Sequence, residues 1–367
     1  MSDAVIAGYV RSPFHLASKG ALGRTRPDDL AAAVVKGLVG KTGVEPNDVE
    51  DLLLGCAFPE GEQGLNVARL ISFIAGLPQS VGATTINRFC GSSMQGIHSA
   101  AGAIALGAGE VFICAGIESM SRIPMMGFNP MPNPALAESM PAAYVSMGIT
   151  AESVARKYAI SRQEQEEFAV ASHVKAAKAQ QQGKLKDEII AISVGTEDGC
   201  IRADTSLQAL ASLKPAFDQA GVVTAGTSSP LTDGAAACLV VSEAYAKAHK
   251  LPILARIKSV AVAGCSPELM GIGPVVATRK ALQRAGLSIN DIDIVELNEA
   301  FASQAIACIR DLKIDMNKVN LDGGALALGH PLGATGARIT GKAASLLKRE
   351  GKRYALATQC IGGGQGI

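Results

Sequence analysis

Short apolar runs alternate along the first part of the chain with stretches in which apolar residues recur every three or four positions. The runs at residues 4–10, 51–58 and 111–117 predict strands, and the third, VFICAGI, is continuous enough for a strand covered on both faces. Between the first two runs, Pro27 opens a stretch with helical spacing. This order predicts a β-α-β unit and a largely parallel sheet, and therefore an α/β protein.

The pattern changes after residue 117. A loop rich in Met and Pro is followed by a polar helix, whose start is marked by Ser161 and Glu164 as a capping box. Glycine turns and an apolar strand return at residues 224–243, which we assign to the first sheet. The chain is thus expected to contain an N-terminal half of residues 1–117 and 222–250, an inserted loop domain of residues 118–221, and a C-terminal half of residues 251–367.

The second half of the chain resembles the first. Residues 41–58 and 284–301 align with Asp48 opposite Asp291, and 291 − 48 is 243; a second pair of segments shares this offset. Chance similarity between β-α units is the alternative, but a shared offset favours a duplication. If the halves pack as pseudo-twofold mates, loops that are distant in sequence meet at the carboxyl ends of their strands.

Cys90 lies in the segment NRFCGSSMQ, between a β-rich run and a helix of small residues. Unpaired N–H groups and the positive end of the helix dipole face a residue in that position. They would stabilise a thiolate relative to a free thiol of pKa about 8.5. Cys90 is therefore a candidate nucleophile, although a single cysteine can equally be a small buried apolar residue.

His330 lies in the loop that the duplication places beside Cys90, in the segment GGALALGHPLGATGAR. Pro331 pushes the histidine backbone towards an extended form, which fixes it on that loop. A neutral imidazole there could take the proton of Cys90, and the resulting ion pair would hold the thiolate ready. For His330 taken alone, a structural role is the alternative.

Two further segments carry candidate chemistry. Cys360 begins CIGGGQG, where the backbone N–H groups of Gly362 and Gly363 are free to face an oxyanion. A dinucleotide site is disfavoured there because no helix and no ribose-binding acid follow. In NEAF, at the end of a predicted strand, Asn298 could orient a water, whereas we expect Glu299 to cap the next helix.

Composition narrows the classes of function. The chain has 367 residues, 48% of them apolar, which suits two core-sized units. It carries 34 basic and 33 acidic residues and only 4% aromatic residues, so we expect no nucleic-acid partner. The eight cysteines form no CxxC pair, which disfavours zinc and a disulfide framework and favours a reduced cytoplasm. No apolar run approaches the roughly 20 residues of a membrane span.

The motifs NRFCGSSMQ, NEAFA, GGALALGHPLGATGAR and CIGGGQG, in that order, make the chain closely resemble the thiolase family over essentially its whole length. The resemblance implies the five-layered α/β/α/β/α thiolase fold, with two duplicated halves and a loop domain over the coenzyme A site. It also implies a homodimer or homotetramer, with a β-oxidation multifunctional enzyme as a further partner. Because family members continue through a last strand, we expect that strand to be missing after Ile367.

The resemblance also implies a reaction. Cys90 would attack a 3-ketoacyl-CoA, Cys360 would act as acid and base, and His330 with a water on Asn298 would stabilise the enolate. The N–H groups of Cys90 and Gly362 would bind the acyl-enzyme oxyanion. Coenzyme A, a substrate and not a bound cofactor, would contact Met147, Arg202, Phe217, Ser229 and Phe301. No metal is implied.

Several interpretations remain open at this point. Ser146 and the segment GCSPELMGIGPV at residues 264–275 favour the fatty-acid-degrading branch, which cleaves 3-ketoacyl-CoA to acetyl-CoA and a shortened acyl-CoA. The first alternative is a biosynthetic acetoacetyl-CoA thiolase, which condenses two acetyl-CoA. A second is a coenzyme A-binding partner subunit without turnover, which retention of the candidate residues disfavours. A ketoacyl synthase relative is disfavoured by Cys360.

Overall fold

The computed structural model describes residues 3–367, and a mixed sheet forms the core of its first half. The strands of this sheet are β1 (Ala4–Arg11), β2 (His15–Leu16), β3 (Asp51–Gly55), β4 (Gly82–Ile86), β5 (Val111–Ser119), β6 (Thr232–Ser242) and β7 (Ala255–Arg256). Their order is β4-β3-β5-β6-β1-β7, with β2 beside β6. The three predicted strands and the return of the later apolar strand to this sheet are confirmed.

The prediction of a largely parallel sheet is only partly right. β3 runs parallel to β4 and β5, but β6 is antiparallel to both β5 and β1. A strand parallel to β5 would need a crossover that returns the chain to the end of the sheet where β5 begins. The insertion instead brings the chain back at the end where β5 stops, so β6 runs antiparallel to β5. β3 also ends at Gly55, earlier than predicted, because the backbone N–H of Ala57 is bound by the carboxylate of Glu118 and not by a neighbouring strand.

The remaining elements are helices and the short strands of the second half. The helices are α1 (Pro27–Thr42), α2 (Val67–Ile74), α3 (Ser92–Leu106), α4 (Pro134–Ser139), α5 (Met147–Lys157), α6 (Arg162–Gln181), α7 (Leu207–Ala211), α8 (Glu243–Ala248), α9 (Gly273–Ala285), α10 (Ala302–Leu312), α11 (Ala325–Leu328) and α12 (Leu332–Glu350). The strands are β8 (Ala263–Gly264), β9 (Ile294–Leu297), β10 (Ala355–Thr358), β11 (Cys360–Ile361) and β12 (Gln365–Gly366). Among the described residues, no helix combines the length and the apolar character needed to cross a bilayer.

The pairing of the strands confirms the duplication. β3 pairs with β5 in parallel, with Asp51 opposite Phe112, and β9 pairs with β10 in parallel, with Ile294 opposite Ala355. The differences 294 − 51 and 355 − 112 are both 243, so the second pair repeats the register of the first. The two halves therefore contain the same β-α-β core.

Helices α3 and α12 lie together between the two sheets. α12 contacts β5 and β6 on one side and β9 and β10 on the other. Gly336 allows this close approach, since a Cβ atom built on it would lie 2.3 Å from the backbone nitrogen of Met94 in α3. The outer face of the first sheet is covered by α1, while α9 packs on β10. The start of each central helix therefore lies where the halves meet.

The insertion leaves the sheet after Ser119 in β5 and returns at Thr232 in β6. Helix α6 begins with the predicted capping box, in which Ser161 and Glu164 bond each other's backbone N–H groups. The domain limits given above stay predictions.

A buried chain of charged groups connects the insertion to both halves. Arg11 in β1 bonds Asp198 at 2.7 Å and Glu188 at 2.8 Å. Glu188 also pairs with Lys342 in α12 at 2.8 Å, and Lys342 pairs with Asp322 at 2.7 Å. Buried charges paired in this way are costly to separate, so the chain fixes the insertion against the body of the protein.

Candidate active site

Cys90 lies two residues before the first residue of α3, as predicted. The preceding residue, Phe89, has a φ of +42°, a left-handed conformation that turns the chain sharply between β4 and α3. Ser92 closes this turn, because its Oγ donates to the carbonyl of Phe89 at 2.5 Å and accepts from the N–H of Arg88 at 2.9 Å. The turn holds Cys90 at the helix start, with its side chain 9% exposed.

Two backbone N–H groups face the sulfur of Cys90. They belong to Cys90 itself and to Gly362, and both lower the pKa of the thiol. They are the same two groups that the resemblance assigns to the oxyanion of an acyl-enzyme. An oxygen on a carbon attached to this sulfur would therefore lie within reach of two fixed donors.

The thiolate predicted for the resting protein is not supported. Burial raises the pKa of Cys90 to about 12, because removal of water penalises the charged form more than the two N–H groups favour it. His330, 4% exposed, has its pKa lowered to about 3 by burial and by the nearby Arg338 guanidinium. Burial therefore favours the neutral forms of the thiol and of the imidazole in the resting protein, and the ion pair stays a prediction.

His330 is held beside Asn298. The Nδ2 atom of Asn298 lies 3.3 Å from Nε2 of His330, and the backbone N–H of Asn298 donates to the carbonyl of Thr358 at 3.0 Å. The Oδ1 atom of Asn298 is buried without a protein partner among the described residues. A buried amide oxygen is rarely left without a hydrogen bond, so a water at Oδ1 fits this geometry.

Cys360 approaches the same place from the second half. It is fully buried, and its pKa is raised well above the usual value by burial and by the nearness of Cys90. The glycines that follow turn the chain back, since Gly363 and Gly364 have φ values of +81° and +86°. This tight turn is what carries the N–H of Gly362 to Cys90.

The role predicted for Glu299 is wrong. Helix α10 begins after Phe301 without a side-chain cap. Glu299 instead accepts hydrogen bonds from Ser172 Oγ at 2.7 Å, from Asn320 Nδ2 at 2.6 Å and from the N–H of Leu326 at 3.2 Å. Its carboxylate supports the loop that leads to His330, because the donors it binds lie on α6 and on that loop.

Four of the five residues predicted to contact coenzyme A lie near Cys360. Met147 and Phe301 pack in one apolar cluster with it. The ring of Phe217 meets that of Phe301 edge to face, with 5.9 Å between centroids. The N–H of Ser229 donates to the carbonyl of Ala300 at 2.9 Å, beside Phe301.

The fifth residue, Arg202, lies on an exposed segment of the insertion. Its backbone N–H donates to Nδ1 of His173 at 3.1 Å, and no contact of the described residues joins its guanidinium to the cluster around Cys360. The grouping of all five residues therefore stays a prediction.

The sequence interpretation missed Glu118. This residue is buried at the end of β5, and its carboxylate accepts hydrogen bonds from the N–H of Ala57 at 2.8 Å and from Gln63 Nε2 at 2.9 Å. A single carboxylate directly after the apolar run VFICAGI was the available signal. Among residues 3–367, no group of three or more His, Cys, Asp or Glu side chains is arranged to hold a metal ion.

Comparison with known proteins agrees with this site and fold. Residues 4–244 match the family described as thiolase, N-terminal domain, and residues 251–367 match thiolase, C-terminal domain. The chain is 48% identical over 383 residues to a 3-ketoacyl-CoA thiolase of Bacillus subtilis, covering 100% of this chain and 98% of the relative.

Two crystal structures are similar over the whole chain. Human mitochondrial 3-ketoacyl-CoA thiolase in complex with CoA superimposes with a TM-score of 0.91 and 38% identity, covering 100% of this chain and 96% of the other. The Bacillus anthracis acetyl-CoA acetyltransferase superimposes with a TM-score of 0.92 and 40% identity, covering 100% and 97%.

Together with these relatives, a duplicated α/β fold with a cysteine at the start of a central helix identifies the protein as an acyltransferase. With both halves matched, the chain belongs to the thiolase family. The five-layered α/β/α/β/α fold implied by the sequence resemblance is confirmed.

Proposed function

We propose that the protein is a 3-ketoacyl-CoA thiolase that cleaves 3-ketoacyl-CoA with coenzyme A to acetyl-CoA and a shortened acyl-CoA. The observation that carries this proposal is the convergence of the Cys90 and Cys360 segments at one buried site, where a Cβ atom built on Gly91 would lie 2.6 Å from the side chain of Ile361 and one built on Gly362 would lie 3.4 Å from the ring of Phe89. The 48% identical relative from Bacillus subtilis bears the same name. Coenzyme A is then a substrate, and the reaction needs no bound cofactor.

In the first half of the reaction, the thiol proton of Cys90 passes to Nε2 of His330 as the sulfur bonds to the 3-keto carbon. The bond between C2 and C3 then breaks, and its electron pair stays on C2 as the enolate of acetyl-CoA. The imidazolium of His330 and a water on Asn298 stabilise the enolate oxygen. Cys360 protonates C2, which releases acetyl-CoA and leaves the acyl group on Cys90.

In the second half, the Cys360 thiolate takes the proton of an incoming coenzyme A thiol. The coenzyme A sulfur bonds to the acyl carbon, whose oxygen is held by the N–H groups of Cys90 and Gly362. The bond to Cys90 breaks, and the leaving thiolate recovers its proton from His330. Both cysteines end in their starting state, so atoms and charges balance over the cycle.

We also place coenzyme A against Met147, Phe217, Ser229 and Phe301. Met147 and Phe301 lie in the cluster that contains Cys360, which would bring the pantetheine end to the reacting sulfur. Arg202 is proposed to meet a phosphate at the outer end of the ligand, which suits its exposure and permanent charge.

The biologically active assembly is proposed to be a homodimer or homotetramer. Strand β4 is the outer strand of the first sheet, with its outer hydrogen-bonding edge free of any strand of the described chain. Beside it, Leu65, Phe73 and Ile74 are 87%, 48% and 49% exposed. A free edge flanked by exposed apolar side chains favours pairing with a second copy.

A multifunctional β-oxidation enzyme as a further partner, and a cytoplasmic location, stay predictions from the sequence. The eight cysteines, all among the described residues, are unpaired, which supports a reducing compartment.

The test of the proposed reaction compares thiolysis of acetoacetyl-CoA with thiolysis of longer 3-ketoacyl-CoA substrates. A rate that holds or rises with acyl length supports the degradative enzyme. A rate confined to acetoacetyl-CoA favours the biosynthetic alternative. The similar Bacillus anthracis structure is named an acetyl-CoA acetyltransferase, which is the name of that alternative. No turnover of any substrate would favour a binding subunit.

The assignment of Cys360 has its own test. Cys360→Ala should still take an acetyl group from acetyl-CoA onto Cys90, yet fail to cleave or form the carbon-carbon bond. Cys114→Ala is a matched control, because Cys114 is also fully buried but packs in an apolar cluster that contains neither Cys90 nor Cys360. Normal thiolysis by Cys360→Ala would show that Cys360 is not the acid and base of the reaction.

A further inference from the structure

Thr335 lies in α12, five residues after His330, and is fully buried. Its Oγ1 atom is 2.7 Å from Nδ1 of His330 and 3.0 Å from the carbonyl oxygen of Pro331. These two contacts place the hydroxyl between the imidazole and the backbone. The hydroxyl therefore connects the ring to the first turn of the helix.

The direction of the two hydrogen bonds follows from the carbonyl. A carbonyl oxygen can only accept, so both contacts are hydrogen bonds at once only if the single proton of the Thr335 hydroxyl is donated to Pro331. The Oγ1 lone pair then accepts from Nδ1 of His330, which must carry the proton of the neutral ring. A threonine hydroxyl bonded to the carbonyl four residues earlier is common in helices, so this arrangement costs the helix little.

We propose that Thr335 is a positioning residue that fixes His330 in the tautomer protonated on Nδ1 and thereby keeps Nε2 free to accept a proton. The other side of the ring is consistent with this, because the Nδ2 donor of Asn298 points at Nε2 from 3.3 Å. An N–H group on Nε2 would instead face another N–H group.

This inference rests on the proposed function, in which Nε2 takes the proton of Cys90. Once Nε2 is protonated, the N–H on Nδ1 keeps its bond to Thr335, so only the Asn298 amide has to turn away from Nε2 as the charge forms. Without the hydroxyl, the ring has no partner at Nδ1 and can turn or exchange tautomer. The fraction of protein with a basic Nε2 then falls.

The kinetic test uses Thr335→Val, which removes the hydroxyl at nearly constant shape, and Thr335→Ser, which keeps it. Thr340→Val is the matched control, since Thr340 Oγ1 donates to the carbonyl of Gly336 at 2.8 Å in the same helix but is not bonded to a histidine. For Thr335→Val, we expect kcat of thiolysis to fall about 10- to 100-fold with little change in KM. Thr335→Ser and Thr340→Val should stay within about threefold of the parent protein.

The tautomer itself is read by nitrogen NMR of histidine labelled at both ring nitrogens, on the parent and on each variant. A His330→Gln sample identifies the signals of His330. We expect a protonated Nδ1 and an unprotonated Nε2 in the parent protein and in Thr335→Ser, and a mixture or the opposite tautomer in Thr335→Val.

A parent protein protonated on Nε2, or a Thr335→Val variant with unchanged tautomer and rate, would overturn the proposal. If Thr335→Val does not fold, the NMR signals of the parent protein and of Thr335→Ser still show which ring nitrogen of His330 carries the proton, and so test the proposal. A protein without thiolysis but with the expected tautomer would sink the proposed function and leave the positioning by Thr335 intact.

Discussion

The carboxylate of Glu118 accepts a hydrogen bond of 2.9 Å from the backbone N–H of Gly333. Glu118 ends β5 of the first half, and Gly333 lies in the first turn of α12 of the second half. The same carboxylate binds the loop after β3 through the N–H of Ala57. It therefore joins the two halves directly behind the loops that carry Cys90 and His330, and a negative charge is favourable at a helix start.

Replacement of Glu118 by Gln tests this connection. One carboxylate oxygen becomes an NH2 group that faces N–H donors, so at least one buried donor loses its acceptor. We expect a loss of about 1 to 3 kcal/mol in the free energy of unfolding, measured with urea, and a fall in kcat. Glu110→Gln is the control at the exposed start of the same strand, where the carboxylate accepts from Ser242 Oγ. Equal behaviour of the two variants would contradict the role of Glu118.

Ultraviolet absorbance can show that Cys90 is a thiol at rest. Because burial raises the pKa of Cys90 to about 12 and lowers that of His330 to about 3, neither group is charged near neutral pH. Thiolate absorbance near neutral pH should therefore be the same in the parent protein and in Cys90→Ser, with Cys265→Ser as a half-buried control. Loss of one thiolate equivalent in Cys90→Ser would show that Cys90 is a thiolate at rest, as in the ion pair expected from the sequence.

Glu296 gives the folded protein a defined pH dependence of stability. It is fully buried in β9, its Oε2 lies 2.9 Å from Nη1 of Arg338, and burial raises its pKa to about 7. The folded state thus keeps the proton to higher pH than the unfolded chain does. The contribution to stability is full below the unfolded pKa of about 4.3 and falls as the pH rises through about 7.

Relative to Glu296→Gln, the parent protein should lose about 2 to 3 kcal/mol between about pH 5 and about pH 8. Urea unfolding of both proteins at both pH values measures this difference. A constant difference between them would show that Glu296 has the same pKa in the folded and unfolded states.

Asp322 is expected to matter for stability more than for chemistry. It pairs with Lys342 at 2.7 Å inside the protein, and its Oδ1 also accepts from Arg349 at 2.9 Å. Asp322→Asn should destabilise the fold by about 1 to 3 kcal/mol, with thiolysis changed less than about threefold. A double-mutant cycle with Lys342→Met should give a favourable coupling between the two side chains. Additive effects would mean that the pair contributes nothing.

Much of this structure follows from local sequence patterns. Apolar runs located β1, β3 and β5, and the offset between Asp48 and Asp291 revealed a duplication that the strand registers reproduce. Strand direction was harder, because an apolar run such as that of β6 carries no information on whether its neighbour runs parallel or antiparallel.

In the active site, too, local patterns predicted some features, while others depend on distant parts of the chain. The sequence placed Cys90 before its helix, but the charge of Cys90 depends on how completely the second half covers it, which no local pattern records. Glu299 begins a segment that looks like a helix start, yet its carboxylate turns to Asn320 and Ser172 on other elements. The sequence did not single out Thr335 for a similar reason, because the importance of Thr335 comes from its contact with the ring of His330.

The central claim is that Cys90 carries the acyl group. The most direct measurement is mass spectrometry of the protein after brief exposure to acetyl-CoA, followed by digestion to locate the adduct. We expect one acetyl group on Cys90, lost on addition of coenzyme A and absent from Cys90→Ala. An unmodified parent protein that still cleaves 3-ketoacyl-CoA, or an acetyl adduct and full turnover in Cys90→Ala, would contradict the mechanism.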